Sequence, residues 1–331
     1  MTESLQQLFE KSIGRRLLLV GDLVADHYIE GDTSRISREA PVLILKYRHE
    51  RVVPGQAGNT AANIASLGGR ATVVSCVGDD ARGRMLIDAM TAAGIDTQLI
   101  MTQAGSSTLT KTRILAGGRH TCRQQVIRID DDERHQLSDE MADKLLQTLP
   151  SAIEQADGLI VSDYGYGIVT DAIWEACVSL AAKRRIPVAL DSRYDLSRRP
   201  GATIITPNES EALEAACVSH PADIALVGEK LLQITAAENV LITRGNEGMA
   251  LFHRDRPPVY IPIFGGDQVA DVTGAGDTVV ATVLLIMASG GSAENAAQLA
   301  NLAGGLVVMK MGTATVSREE LSSSINLAGL V

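Results

Sequence analysis

The chain has 331 residues, 45% hydrophobic but only 3% aromatic, and 40 acidic against 30 basic side chains give a net charge of −10. Val, Ile, Leu and Ala must therefore fill the core, and the acidic balance argues against nucleic acid or an anionic membrane surface as partner. At roughly 150 residues per domain the length allows two domains, but no linker, repeat or low-complexity segment marks a boundary, so residues 1–331 are read as one domain.

Residues 1–11 are polar and lack the apolar centre of a secretory leader. Cys76, Cys122, Cys177 and Cys217 stand far apart without a C-x-x-C pair, so reduced thiols in a cytoplasm are expected. The histidines show no zinc-binding spacing. Six short apolar runs follow in order: residues 16–20, 71–77, 158–162, 187–190, 202–206 and 240–243. Each ends in a polar residue or glycine, and helical patterns mostly lie between them. That is the rhythm of an α/β fold with an open parallel sheet, whose ligands bind beyond the carboxyl ends of the strands. Residues 28–53 and 108–129 break the rhythm with alternating patterns, the second a hairpin about Gly117-Gly118, and are read as a small β-layer over the site. The apolar run before Ser289 is about half the ~20 residues a membrane span requires.

The strand ends carry the candidate chemistry. Asp22 and Asp26 follow the first strand at a spacing that suits vicinal hydroxyls, although turns are rich in aspartate anyway. Pro54, Gly55, Gln56, Ala57, Gly58 and Asn59 enter a helix that closes at Leu67-Gly68. A polyol could lie on such small residues while Asn59 meets a hydroxyl, and tight helix packing would select them equally well. Asn208, with Glu209 and Glu211, caps another helix. The most informative stretch is Asp271-Val272-Thr273-Gly274-Ala275-Gly276-Asp277-Thr278. Its glycines let backbone approach a ligand, and the helix start behind them offers unpaired N–H groups to phosphate. Asp277 then sits where a carboxylate could take a proton from a hydroxyl facing that phosphate. No G-x-x-x-x-G-K-[ST] is present and no G-x-G-x-x-G follows the first strand, which excludes the P-loop and dinucleotide-binding designs.

Residues 271–278 resemble the second signature of the ribokinase (PfkB) family of sugar kinases. Residues 54–68 resemble its first signature, with Gln56 and Gly58 departing from the commonest form. The resemblance covers nearly the whole chain. It implies a ribokinase-like α/β fold: a mostly parallel central sheet, helices on both faces and a small β-sheet lid. It implies ATP as phosphoryl donor, Asp277 as base, and the backbone of Gly274, Ala275 and Gly276 as an anion hole. Asp26, Gly55 and Asn59 fall at the sugar. Thr243, Arg244, Gly245, Gly248, Thr273 and Asn301 fall beside the nucleotide. Asn208 and Glu211 match a motif that orders Mg²⁺ through water, and Asp271 with Thr273 matches a K⁺ site.

One branch fits best. Residues 31–42, Lys111 with Arg113, residues 128–130 and residues 312–317 are similar to bacterial heptose 7-phosphate kinases, which form heptose 1,7-bisphosphate towards ADP-heptose and lipopolysaccharide core. Arg35, Lys111, Arg113 and Arg193 are then the candidate cluster for an anionic sugar. Two departures bear on this: Gly165-Tyr166-Gly167 stands where the branch usually carries a lysine, and Asp191-Ser192-Arg193 replaces Asp-Pro-Lys. A kinase for another sugar or a nucleoside is an alternative. So is a non-catalytic sensor on the same fold, against which an intact Asp277 speaks. A small isolated lid would expose one face and its edges, so a homodimer paired through the lid is expected.

Overall fold

The computed structural model describes residues 3–118, 123–131, 137–219, 223–265 and 270–329. The chain opens with α1 (Leu5–Lys11) and β1 (Arg16–Gly21), then passes at once into β2 (Leu23–Ile36) and back through β3 (Leu43–Gln56). α2 (Ala57–Ser66), β4 (Arg70–Gly78), α3 (Ala81–Ala92) and β5 (Ile100–Gln103) precede a hairpin of β6 (Thr110–Gly117) and β7 (Gln124–Asp131). Next come α4 (Asp139–Glu154), β8 (Gly158–Asp163), α5 (Asp171–Arg184), β9 (Val188–Ser192), β10 (Ile204–Ile205), α6 (Glu209–Ala215), α7 (Ile224–Thr235) and β11 (Asn239–Thr243). β12 (Met249–His253) and β13 (Val259–Ile261) lead to α8 (Ala275–Met287), α9 (Ala293–Val307) and α10 (Arg318–Leu327).

All six apolar runs become neighbours in one sheet of order β13-β12-β11-β10-β9-β8-β1-β4-β5. Its pairings are parallel except for β11 with β12 and β12 with β13. Successive side chains point to opposite faces of a strand, so each central strand must be apolar throughout. Leu17 and Leu19 of β1 pack into one core with α2, α8, α9 and α10, whereas Leu18 and Val20 pack into a second with α4, α5 and α7. α8 is buried along nearly its whole length, between α2 and α9. The start of α8 is therefore held rigidly, which matters for the residues it presents.

The two excursions form a separate four-stranded sheet of order β3-β2-β6-β7. β2 begins at Leu23, earlier than the pattern suggested, so Asp26 lies on a lid strand and not in a turn. β5, β12 and β13 were not foreseen; each is five residues or fewer and too short to show a period. Among the described residues no helix is long and apolar enough to cross a membrane.

Candidate active site

A cavity of about 1160 Å³ lies between the carboxyl ends of β8, β9, β10 and β11 and the inner strands of the lid. Its wall includes the start of α8. Gly274 has φ 78°, and a Cβ there would stand 2.5 Å from Asn59 Nδ2. Only glycine lets this turn close on α2. The Ala275 N–H bonds the Val272 carbonyl at 3.2 Å, while the N–H groups of Gly274, Gly276 and Asp277 meet no acceptor among the described residues. The free donors are thus those of Gly274, Gly276 and Asp277, and Ala275 uses its own to build the turn.

Asp277 is buried, and three donors converge on it: Asn59 Nδ2 at 2.7 Å, Thr60 Oγ1 at 3.0 Å and Tyr164 Oη at 3.1 Å. Burial pushes its pKa up to about 6, against the pull of those hydrogen bonds. A carboxylate so placed is ionised at pH 7 yet basic enough to accept a hydroxyl proton. Asn59 supports this carboxylate and is not among the residues lining the cavity.

Tyr164 Oη also lies 2.9 Å from Asp191 Oδ2. A phenol has one proton to give, so one of the two carboxyl groups must itself be protonated to bond it. Asp191 is that group, because burial and the charges of Asp277 and Glu211 push it up to about 8. Asp191 therefore donates to Tyr164, and Tyr164 donates to Asp277. Asp191 was a candidate only as one strand end among several. Tyr164, the residue after β8, carried no signal beyond its place in the chain.

At the lid end, Asp26 accepts from Arg113 Nη1 at 2.5 Å and from Thr313 Oγ1 at 3.0 Å. A Cβ on Gly55 would come within 2.9 Å of the Asp26 carboxylate, which accounts for that glycine. Lys111, Arg113 and Arg193 line the cavity together with Arg128, which the sequence reading placed in a branch-like segment but not among the site residues. Arg35 does not line it; it sits on the exposed outer end of β2. Burial lowers the Lys111 pKa, with Asp26 opposing, and the amine stands 6.0 Å from the centre of the Tyr166 ring. Asp22 does not reach the site either. Its carboxylate accepts the backbone N–H groups of Tyr164, Tyr166 and Ile168 and so fixes the loop that carries Tyr164.

At the other end, Thr243, Arg244, Gly245, Gly248 and Asn301 line the same cavity, with Thr273, Asn208 and Glu211. Asn208 and Glu211 cap α6 reciprocally: Glu211 N–H donates to Asn208 Oδ1 and Asn208 N–H to Glu211 Oε2, both at 2.9 Å. Among the described residues no group of three or more His, Cys, Asp or Glu is disposed to hold a metal. Mg²⁺ keeps most of its water and needs few carboxylates. The charge of Glu211 is among the causes that push the Asp191 pKa up, and it is this charge at the cavity wall that such an ion relieves. The donor set fits a water-held Mg²⁺. Asp271 lies off the cavity wall and accepts from Thr273 N–H, Thr273 Oγ1 and Gly312 N–H at 2.9, 2.7 and 2.9 Å. Burial raises its pKa, but those bonds outweigh it and hold the carboxyl below its usual range. It is a fixed negative charge beside the loop into α8, the kind of group a monovalent cation needs.

Comparison with known proteins bears on the fold and the family of the chain. The chain is 38% identical over 325 residues to the bifunctional protein HldE of Trichlorobacter lovleyi, covering 97% of this chain and 65% of that protein. It is 39% identical over 314 residues to HldE of Gluconobacter oxydans, covering 94% and 64%. The chain thus spans about 65% of the length of these curated relatives. Arabidopsis thaliana ribokinase complexed with ribose and ATP superposes with a TM-score of 0.69 at 20% identity, over 94% of this chain and 98% of that one. Phosphofructokinase-2 from Escherichia coli in complex with potassium gives 0.73 at 19% identity, over 96% and 99%. At such identities the structures establish the ribokinase-like fold. The model of the pfkB family carbohydrate kinases matches residues 15–320, and the chain belongs to that family.

Proposed function

We propose that this carbohydrate kinase transfers the γ-phosphoryl group of ATP to a sugar phosphate, heptose 7-phosphate, giving heptose 1,7-bisphosphate. The observation that carries the reading is the position of Asp277: a buried carboxylate with a pKa near 6 at a helix start with free N–H groups, between a basic lid and the Asn208–Glu211 corner. Asp277 takes the acceptor hydroxyl proton, and the N–H groups of Gly274, Gly276 and Asp277 hold the charge that develops on the transferring group. Asn208 and Glu211 would hold Mg²⁺ through water, where it neutralises phosphate charge. Asp271 and Thr273 would sit by K⁺. Lys111, Arg113, Arg128 and Arg193 support an acceptor that is already anionic. Relatives 38–39% identical that carry the HldE name favour the heptose branch over another sugar or a nucleoside. The intact base disfavours a mere sensor. ADP release measured across sugars, sugar phosphates and nucleosides tests this: the highest kcat/KM belongs to heptose 7-phosphate.

A homodimer through the lid is part of the proposal. Ile36, Val42, Leu43, Tyr47, Ile127 and Ile129 are all exposed on the lid strands or the turn between β2 and β3. A second copy laid across them would remove that apolar surface from water.

A further inference from the structure

Gln56 is the last residue of β3 and directly precedes α2. Its backbone has φ 55° and ψ −125°, a conformation that glycine adopts freely and other residues avoid. Strain of this kind persists only where the surroundings impose it, and it concentrates at sites of function. The side chain does not offset it locally, for it makes no capping hydrogen bond to α2. Nor does the amide of this half-buried residue have a hydrogen-bond partner among the described residues. Gln56 nevertheless lines the active-site cavity. It follows Gly55, which packs on the Asp26 carboxylate, and it precedes the turn of α2 whose Asn59 and Thr60 hold Asp277. An amide with no partner among the described residues thus belongs to a cavity-lining residue whose chain neighbours pack on Asp26 on one side and hold Asp277 on the other.

We propose that Gln56 is a specificity-determining residue whose amide hydrogen-bonds a hydroxyl of the acceptor sugar. This rests on the kinase reading of the same site. A hydroxyl both gives and takes a hydrogen bond, and a primary amide answers both. A glycine here would leave that hydroxyl to water. Sites that hydrogen-bond a substrate hydroxyl discriminate strongly against analogues lacking it, which gives a reason to keep a strained residue where glycine fits without cost.

The test compares wild type, Gln56→Gly and Gln56→Ala, with heptose 7-phosphate and its monodeoxy analogues as probes. Gln56→Gly relieves the backbone and is expected to raise Tm, while Gln56→Ala keeps the Cβ and the strain. Both are expected to lower kcat/KM for heptose 7-phosphate by about tenfold or more, with KM for ATP unchanged. One monodeoxy analogue is expected to be used equally well by wild type and both variants. If acceptor kcat/KM is unchanged in Gln56→Gly, the residue is merely tolerated and the inference is wrong. If wild type turns over none of these probes, the same comparison is made on calorimetric Kd for heptose 7-phosphate. A weaker Kd in both variants then upholds the Gln56 contact while the kinase reading fails, and an unchanged Kd overturns the contact.

Discussion

Tyr164 stands between two carboxyl groups, 3.1 Å from Asp277 and 2.9 Å from Asp191, and because Asp191 is the more strongly raised of the two, the single phenol proton is assigned to Asp277. That bond is one of three that hold the Asp277 pKa down against burial. Tyr164→Phe removes it, so the Asp277 pKa rises. A hydrogen bond to a charged group is worth about 1.5–3 kcal/mol, or roughly one to two pH units. The acid limb of the kcat/KM profile, near pH 6 in wild type, is expected to move up by about one unit, with activity recovering at higher pH. A merely structural role for Tyr164 would lower activity at every pH and leave the limb in place.

The same cluster sets how stability depends on pH. Asp22 and Asp277 are raised to about 6 and Asp191 to about 8, chiefly by burial. Between pH 5 and 8 the folded chain keeps protons on these groups that the unfolded chain has released, so stability falls as pH rises. His253, lowered by burial, acts in the opposite sense below its ordinary value, but it stands against these three and against Asp163 and Glu211, which are also raised by burial. Tm is expected to be higher at pH 5.5 than at pH 8. Asp191→Asn, which keeps a donor towards Tyr164 without the charge, should flatten the fall above pH 7. Melting curves across this range check both.

Gly274→Ala places a Cβ 2.5 Å from Asn59 Nδ2 at a φ of 78°. Either Asn59 leaves Asp277 or the turn into α8 opens. The strained backbone costs about 1–2 kcal/mol of stability, and kcat is expected to drop by more than tenfold with Asn59 displaced. Thermal melts and steady-state kinetics on one preparation read both effects.

Substrate charge is tested by Lys111→Ala and Arg128→Ala. Each removes a cation from the cavity wall, and a charge-assisted contact is worth roughly tenfold or more in affinity. KM for a sugar phosphate should rise by that factor and KM for the free sugar should change little. Equal effects on both would mean that no phosphate is bound there.

For the lid, Ile127→Lys with Ile129→Lys puts charge on two exposed apolar side chains of β7. Light scattering at micromolar concentration is expected to show a dimer for wild type and a monomer for the double variant.

Much of this was legible in the sequence because it rests on local signals. Parallel strands buried on both faces leave uninterrupted apolar runs, and the glycines about Asp277 mark a turn that only glycine can close. Relations between distant segments left no such trace. Tyr164 is 113 residues from Asp277, and nothing at either position announces the bond. Thr313 reaches Asp26 across 287 residues. Arg35 and Arg113 looked alike as basic lid residues. They differ because Arg113 of β6 pairs beside the buried Tyr28 of β2, whereas Arg35 lies at the exposed end of β2. Asp22 looked like a ligand and instead fixes a loop, since three backbone donors converge on it.

The central claim is that Asp277 is the base, and Asp277→Asn tests it most directly. The amide keeps the shape of the side chain and removes its basicity. General-base catalysis contributes about 10²–10⁴-fold, so kcat should fall by that factor while calorimetric Kd for ATP stays within a few-fold of wild type. A variant that retains most of the wild-type kcat contradicts the account.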